Sequence, residues 1–248
     1  MTQQTKNRPR DPRMPVGFQH QTSLPSDVKI EGSIGGAMAA SWRKDCPLTE
    51  RFFGHRDALR GEVTRVRNLR QKIDQKVKAG GQAARLHAGP ALASAGRKAL
   101  KELERRLEKM EADRQEAEGS LEGFWKETFS VRDNLVAAQV RDSLRSVPEK
   151  DRKRRLLEHL DDPDVASAVL RAPPLASGLS KKEHAALTRE AERRHAPHLH
   201  RSRTLVSEAH ERAMAAARTA EKMIAEMSGI ERDRDGVWRA PWEIGDDD

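Results

Sequence analysis

The sequence predicts an all-α fold: an elongated antiparallel helical hairpin or coiled coil, with additional short helices, a long Ala-rich C-terminal helix and irregular termini. Three observations carry this reading. Ala, Glu, Leu, Lys and Arg make up close to half of the 248 residues, a bias that marks long helices when periodicity accompanies it. Apolar residues recur at alternating steps of three and four along three separate stretches, the heptad pattern of packed helices. Tyr is absent and aromatics are only 4%, few large side chains for the single broad core of an enzyme this long.

Residues 1–55 read as an irregular N-terminal arm. Pro9, Pro12, Pro15 and Pro25 block long helices there, and several glycines loosen the rest. Val28 to Glu31 alternates well enough for one short strand. Residues 56–147 form the expected coiled-coil hairpin. Its first seam is Leu59, Val63, Val66, Arg70, Ile73 and Val77. The second is Leu100, Leu103, Leu107, Met110, Arg114, Ala117, Leu121 and Phe124. Gly80-Gly81 ends the first, and the Ala/Gly-rich stretch 79–96 with Pro90 reads as the connecting loop, with room for a short helix. The second helix is expected to continue to about Ser146, before Pro148. An Arg inside each seam costs stability and fixes register.

Residues 148–196 are a short-helix segment. Asp162-Pro163 offers an N-cap followed by Pro at the first helical position. Ser180 with Glu183 is a capping box. Residues 197–229 form the C-terminal helix, with a seam of Val206, Ala209, Ala213, Ala216, Ala220, Met223 and Met227. Gly229 is its expected left-handed terminator and Ile230 the apolar contact beyond it. Residues 230–248 are an acidic tail containing Trp238 and Trp242.

The net charge is +8, unevenly placed. Residues 56–78 hold eight basic and three acidic groups, whereas 230–248 hold three and seven. Arg56, Arg60, Arg67 and Lys78 lie within about 40° of one another on a helical wheel, an exposed stripe able to follow a phosphate backbone. No aromatic residue lies between Phe53 and Phe124 to stack on bases. The acidic tail, read as an extended peptide, is expected to lay its two tryptophans on the helical body, or on the same site of a neighbouring subunit, and its final aspartates on this basic helix.

Other chemistry is thinly represented. His195, His198 and His200 fall within six residues and form the one candidate metal cluster. The glycines at 32–36 match neither a P-loop nor a dinucleotide turn, and no cofactor is expected. The acids of residues 102–118 alternate with bases as helix-surface pairs. Cys46 is the only cysteine, which excludes an intrachain disulfide and fits a reducing compartment. No apolar run reaches the ~20 residues of a membrane span, and none follows the N-terminus as a secretory signal. A cytoplasmic protein is expected.

The first hairpin arm is shorter than the second, so apolar length is left over. The sequence therefore points to a non-enzymatic structural or assembly protein acting through helical interfaces, with itself or another helical protein as partner. A basic nucleic-acid-associated packaging or architectural protein is the alternative, and a His-based metal enzyme a third reading.

Overall fold

A computed structural model describes residues 24–34 and 41–243, apart from the side chains of Ser41 and residues 81–85. The fold is all-α, and the sheet among the described residues is one two-stranded pair. Two compact units are present. The first comprises 24–34, 50–111 and 210–243, and the second 41–49 and 112–209.

In the first unit, helical backbone runs through α3 (Glu50–Thr128), yet α3 is not one straight rod. His210, in α8 (Pro197–Ser228), lies edge-on to Phe52 with ring centroids 5.9 Å apart. Its Nε2 is also 3.6 Å from Glu111. A straight helix would place Phe52 and Glu111 about 88 Å apart. Lys72 and Ala95 likewise line one groove. The chain therefore doubles back near 81–85, and residues 50–80 and 86–111 run side by side as antiparallel arms.

The seams bury themselves between these arms and α8. Leu59, Val63, Val66, Leu100, Leu103 and Met110 are all at most 2% exposed. Leu107, Ile73 and Val77 are half-buried. Ala213, Ala217 and Ala220 are fully buried, since small side chains let α8 approach closely. Arg70 is also buried, and its Nη1 donates to the Met227 carbonyl at 2.7 Å. A charge inside an apolar seam thus satisfies one of the carbonyls that a helix end leaves without partners. Gly229 (φ +63) ends α8, and Ile230 N–H bonds to the Ala225 carbonyl at 3.2 Å, as the sequence predicts.

Two expectations change here. Residues 79–96, expected as a loop with room for a short helix after a stop at Gly80-Gly81, are helical throughout, and Leu92 and Ala93 extend the buried seam. Pro90 lies inside this helical run and, lacking an amide hydrogen, leaves the carbonyl four residues before it without that helical bond. The expected strand at 28–31 is instead helix α1 (Asp27–Ile34). Its Ile30 and Ile34 are buried while Val28 is 82% exposed, so the four-residue step outweighs the two-residue alternation.

The second unit packs short helices: α2 (Ser41–Asp45), α4 (Asn134–Ser146), α5 (Glu149–Glu158), α6 (Pro163–Leu170) and α7 (Lys181–His195), with the adjoining parts of α3 and α8. Asp162 and Ser180 cap α6 and α7 as expected. The helix expected to reach Ser146 stops at Thr128. Asp133 then starts α4, accepting hydrogen bonds from the amides of Leu135 and Val136. Phe124, expected in the seam, is 56% exposed, and Trp125 is buried in its place. The buried positions here are Ala117, Leu121, Trp125 and Phe129, three successive steps of four where a strict heptad alternates three and four. Arg152 ties the unit together, donating to the carbonyls of Arg145, Val147 and Gly178. Among the described residues no helix is long and apolar enough to cross a membrane.

Candidate interaction surfaces

The expected phosphate stripe is not an open surface. Helix α1 places Glu31 2.7 Å from Arg60 and pairs Asp27 with Arg67. Arg67 is left with 14% of its side chain exposed. Arg56 bonds to Asp57 at 2.8 Å and its guanidinium lies 5.2 Å from the Phe53 ring centre. Lys78 is exposed. The physical reason is that Ile30 and Ile34 must be buried, and docking them brings two carboxylates onto the arginines. The acidic cover on Arg60 and Arg67 thus comes from the N-terminal arm.

Open basic character lies elsewhere, along the furrow between the two arms. Its walls carry Arg65 and Lys72 on one arm and Lys98, Lys101 and Arg105 on the other. Seam pattern alone hides this juxtaposition, because it requires knowing where the hairpin turns.

In the second unit an apolar groove opens between α4, α5 and α6, with a volume of about 340 Å³. Val140, Leu144 and Val147 form one wall, and Leu156, Val165 and Val169 form the other. Gln139, Ser143, Arg155 and His159 also line it. Val136 lies one turn before Val140 on α4 and is 46% exposed, so the apolar strip continues past the groove. Leu135 and Leu175 are also exposed, at 68% and 87%. None of the heptad seams marks this surface. The steps from Val136 to Val140, Leu144 and Val147 could have marked one wall, but α5 and α6 supply the other.

The three histidines do not converge. The His195 ring meets Phe129 edge-on, with its Nε2 2.6 Å from the Leu160 carbonyl. His198 is exposed and His200 half-buried. Among the described residues no group of three or more His, Cys, Asp or Glu side chains could hold a metal ion. The reason is local: α7 ends at His195 and Pro197 starts α8, so His195 sits on a different helix from His198 and His200. Cys46 is 2% exposed, a small buried side chain of the turn before α3.

The tail is a hairpin rather than an extended peptide. Strands β1 (Glu231–Arg232) and β2 (Trp238–Arg239) pair antiparallel, and Gly236 (φ +79) lies in the turn between them. Trp238 is half-buried, with the Arg232 guanidinium 5.5 Å from its ring centre, and Trp242 is 38% exposed. The hairpin is held by Glu243, which accepts hydrogen bonds from Arg97 at 2.7 Å and from the Ala240 amide at 2.9 Å. The anchor is thus Arg97 rather than the 56–78 helix, and Asp246, Asp247 and Asp248 lie outside the described residues.

The Ala240 amide, and then Arg97, hold the Glu243 carboxyl below its ordinary value of 4.5. A depressed carboxylate contributes stability above its unfolded value, and loses it as pH falls through the folded one. Acidification below pH 4.5 is therefore expected to speed amide exchange at Ala240. Glu243→Gln should give fast exchange already at pH 7. A wild-type exchange rate that, corrected for intrinsic pH dependence, stays flat to pH 3 would contradict the latch.

Compared with family models, curated proteins and solved structures, this chain matches none of them.

Proposed function

We propose that this chain is a non-enzymatic structural or assembly protein, cytoplasmic, that works through helical protein–protein interfaces. The α4–α6 groove is its partner-binding surface, taking an apolar segment of a further copy or of another helical protein. The observation that carries the reading is the continuity of the groove with exposed Val136. An apolar strip of this kind, rimmed by polar groups, is the usual form of an interaction site on a folded surface.

A photo-crosslinking residue at Val140 is expected to give discrete protein adducts in cells. The same probe at exposed Lys126 should not. Val165→Asp, on the facing wall, should weaken association about 30-fold, the effect of losing a central contact worth ~2 kcal/mol. Adducts no more frequent at 140 than at 126 would reject the reading.

A further inference from the structure

We propose that the furrow between the two arms of α3 is a binding site for the phosphate backbone of double-stranded nucleic acid. The proposal is independent of the α4–α6 groove. It also places the contact on other residues than the stripe of Arg56, Arg60 and Arg67, which α1 and Asp57 occupy.

Two continuous grooves share Arg65 and Lys98 and together run from Lys72 to Arg105. On one arm, Arg65 and Lys72 are seven residues apart, two turns on one helix face. On the other, Lys98, Lys101 and Arg105 follow at steps of three and four, again one face. Because the arms are antiparallel, the two rows stand opposite each other, and five cations occupy a length of about 16 Å at 1.5 Å per residue. Two acids share the walls. Glu62 is 2.5 Å from Arg65, and Glu102 is 3.7 Å from Arg105. Both arginines remain more than half exposed. Lys72, Lys98 and Lys101 are exposed and have no carboxylate partner among the described residues.

Fixed like charges along one line raise the local potential and attract a partner with charges at similar spacing. One strand of a duplex carries a phosphate every ~3.4 Å along its axis, so 16 Å of furrow can face about five phosphates. The lining adds Val66, Asn68, Leu69 and Ala95 and contains no aromatic side chain. Single-strand sites use aromatic platforms for bases; a furrow of lysines and arginines alone reads the backbone. The site therefore favours a duplex and carries no base specificity.

The test is fluorescence anisotropy of the full chain with a mixed-sequence 20-base-pair duplex, as DNA and as RNA. The matching single strand and anionic phospholipid vesicles serve as competitors. With five phosphate contacts, duplex affinity should fall about 500-fold between 50 and 200 mM salt. For Lys98→Gln/Lys101→Gln the same change should be about 40-fold, a slope smaller by ~1.8. These lysines are exposed, so folding is preserved, and circular dichroism checks it. Lys126→Gln, in the second unit, should leave the slope unchanged. Binding of either duplex with this pattern supports the site, and the two duplexes distinguish DNA from RNA as its source. No duplex binding at 50 mM salt, an unaltered slope in the double variant, or preference for the single strand or the vesicle would overturn it.

Discussion

Gly96→Val is expected to destabilise the first unit by about 3 kcal/mol, the upper part of the range for overpacked interiors. A Cβ added at Gly96 would lie 2.2 Å from Ser228 Oγ, 2.4 Å from Ser228 Cβ and 3.0 Å from Ile230 Cδ1. Swinging the hydroxyl away cannot relieve the contact, because the Ser228 Cβ is fixed to the backbone. That backbone is held in turn by the left-handed Gly229 and by buried Ile230. Alanine is the sharper probe, since helix propensity alone would favour it over glycine by ~1 kcal/mol. Gly96→Ala should nevertheless destabilise, and Ser228→Gly should rescue it with a coupling energy of ~1–3 kcal/mol. Urea denaturation followed by circular dichroism reads all four proteins. A Gly96→Ala protein as stable as the parent would mean that the arm and α8 do not approach this closely.

Arg203→Met should cost the second unit about 3 kcal/mol, and adding Glu192→Leu should recover most of that loss. Glu192 is 1% exposed, and its Oε1 accepts from Arg203 Nε at 2.9 Å. Glu192 Oε2 has no hydrogen-bond partner among the described residues. Removing the guanidinium leaves a buried carboxylate without its counter-charge, which typically costs 3–5 kcal/mol. The lower end applies because Arg203 is itself 31% exposed and water can reach part of the space. Replacing both partners by apolar groups removes the desolvation cost together with the attraction, so the double variant should lie within ~1 kcal/mol of the parent. Denaturation midpoints decide it. A double variant no better than Arg203→Met would show that packing around the pair, rather than the uncompensated charge, sets the loss.

The same physics explains which features could be read in advance. The charge pair of Glu192 and Arg203 spans α7 and α8, and neither residue carries a local mark of it. Gly96 closes the Ala/Gly-rich stretch 79–96 that reads as a loop. Its actual role, leaving room for Ser228, depends on a residue 132 positions away. The expected phosphate stripe failed for a similar reason. A helical wheel places Arg56, Arg60 and Arg67 together correctly, but cannot see that Ile30 and Ile34 bring Asp27 and Glu31 onto them.

What the sequence by itself determined is the set of features governed by neighbours within about one helical turn. These are the all-α composition, the buried seams at Leu59, Val63 and Val66 and at Leu100, Leu103 and Met110, the caps at Asp162 and Ser180, and the stop at Gly229. Beyond composition, each rests on a repeat or a cap hydrogen bond whose partners lie two to five residues apart. Tertiary structure alone decided which charged faces stayed open, that Trp125 rather than Phe124 turned inward, and that three short helices left a groove. Those outcomes depend on which apolar surfaces compete for the same interior, and burial takes no account of distance along the chain.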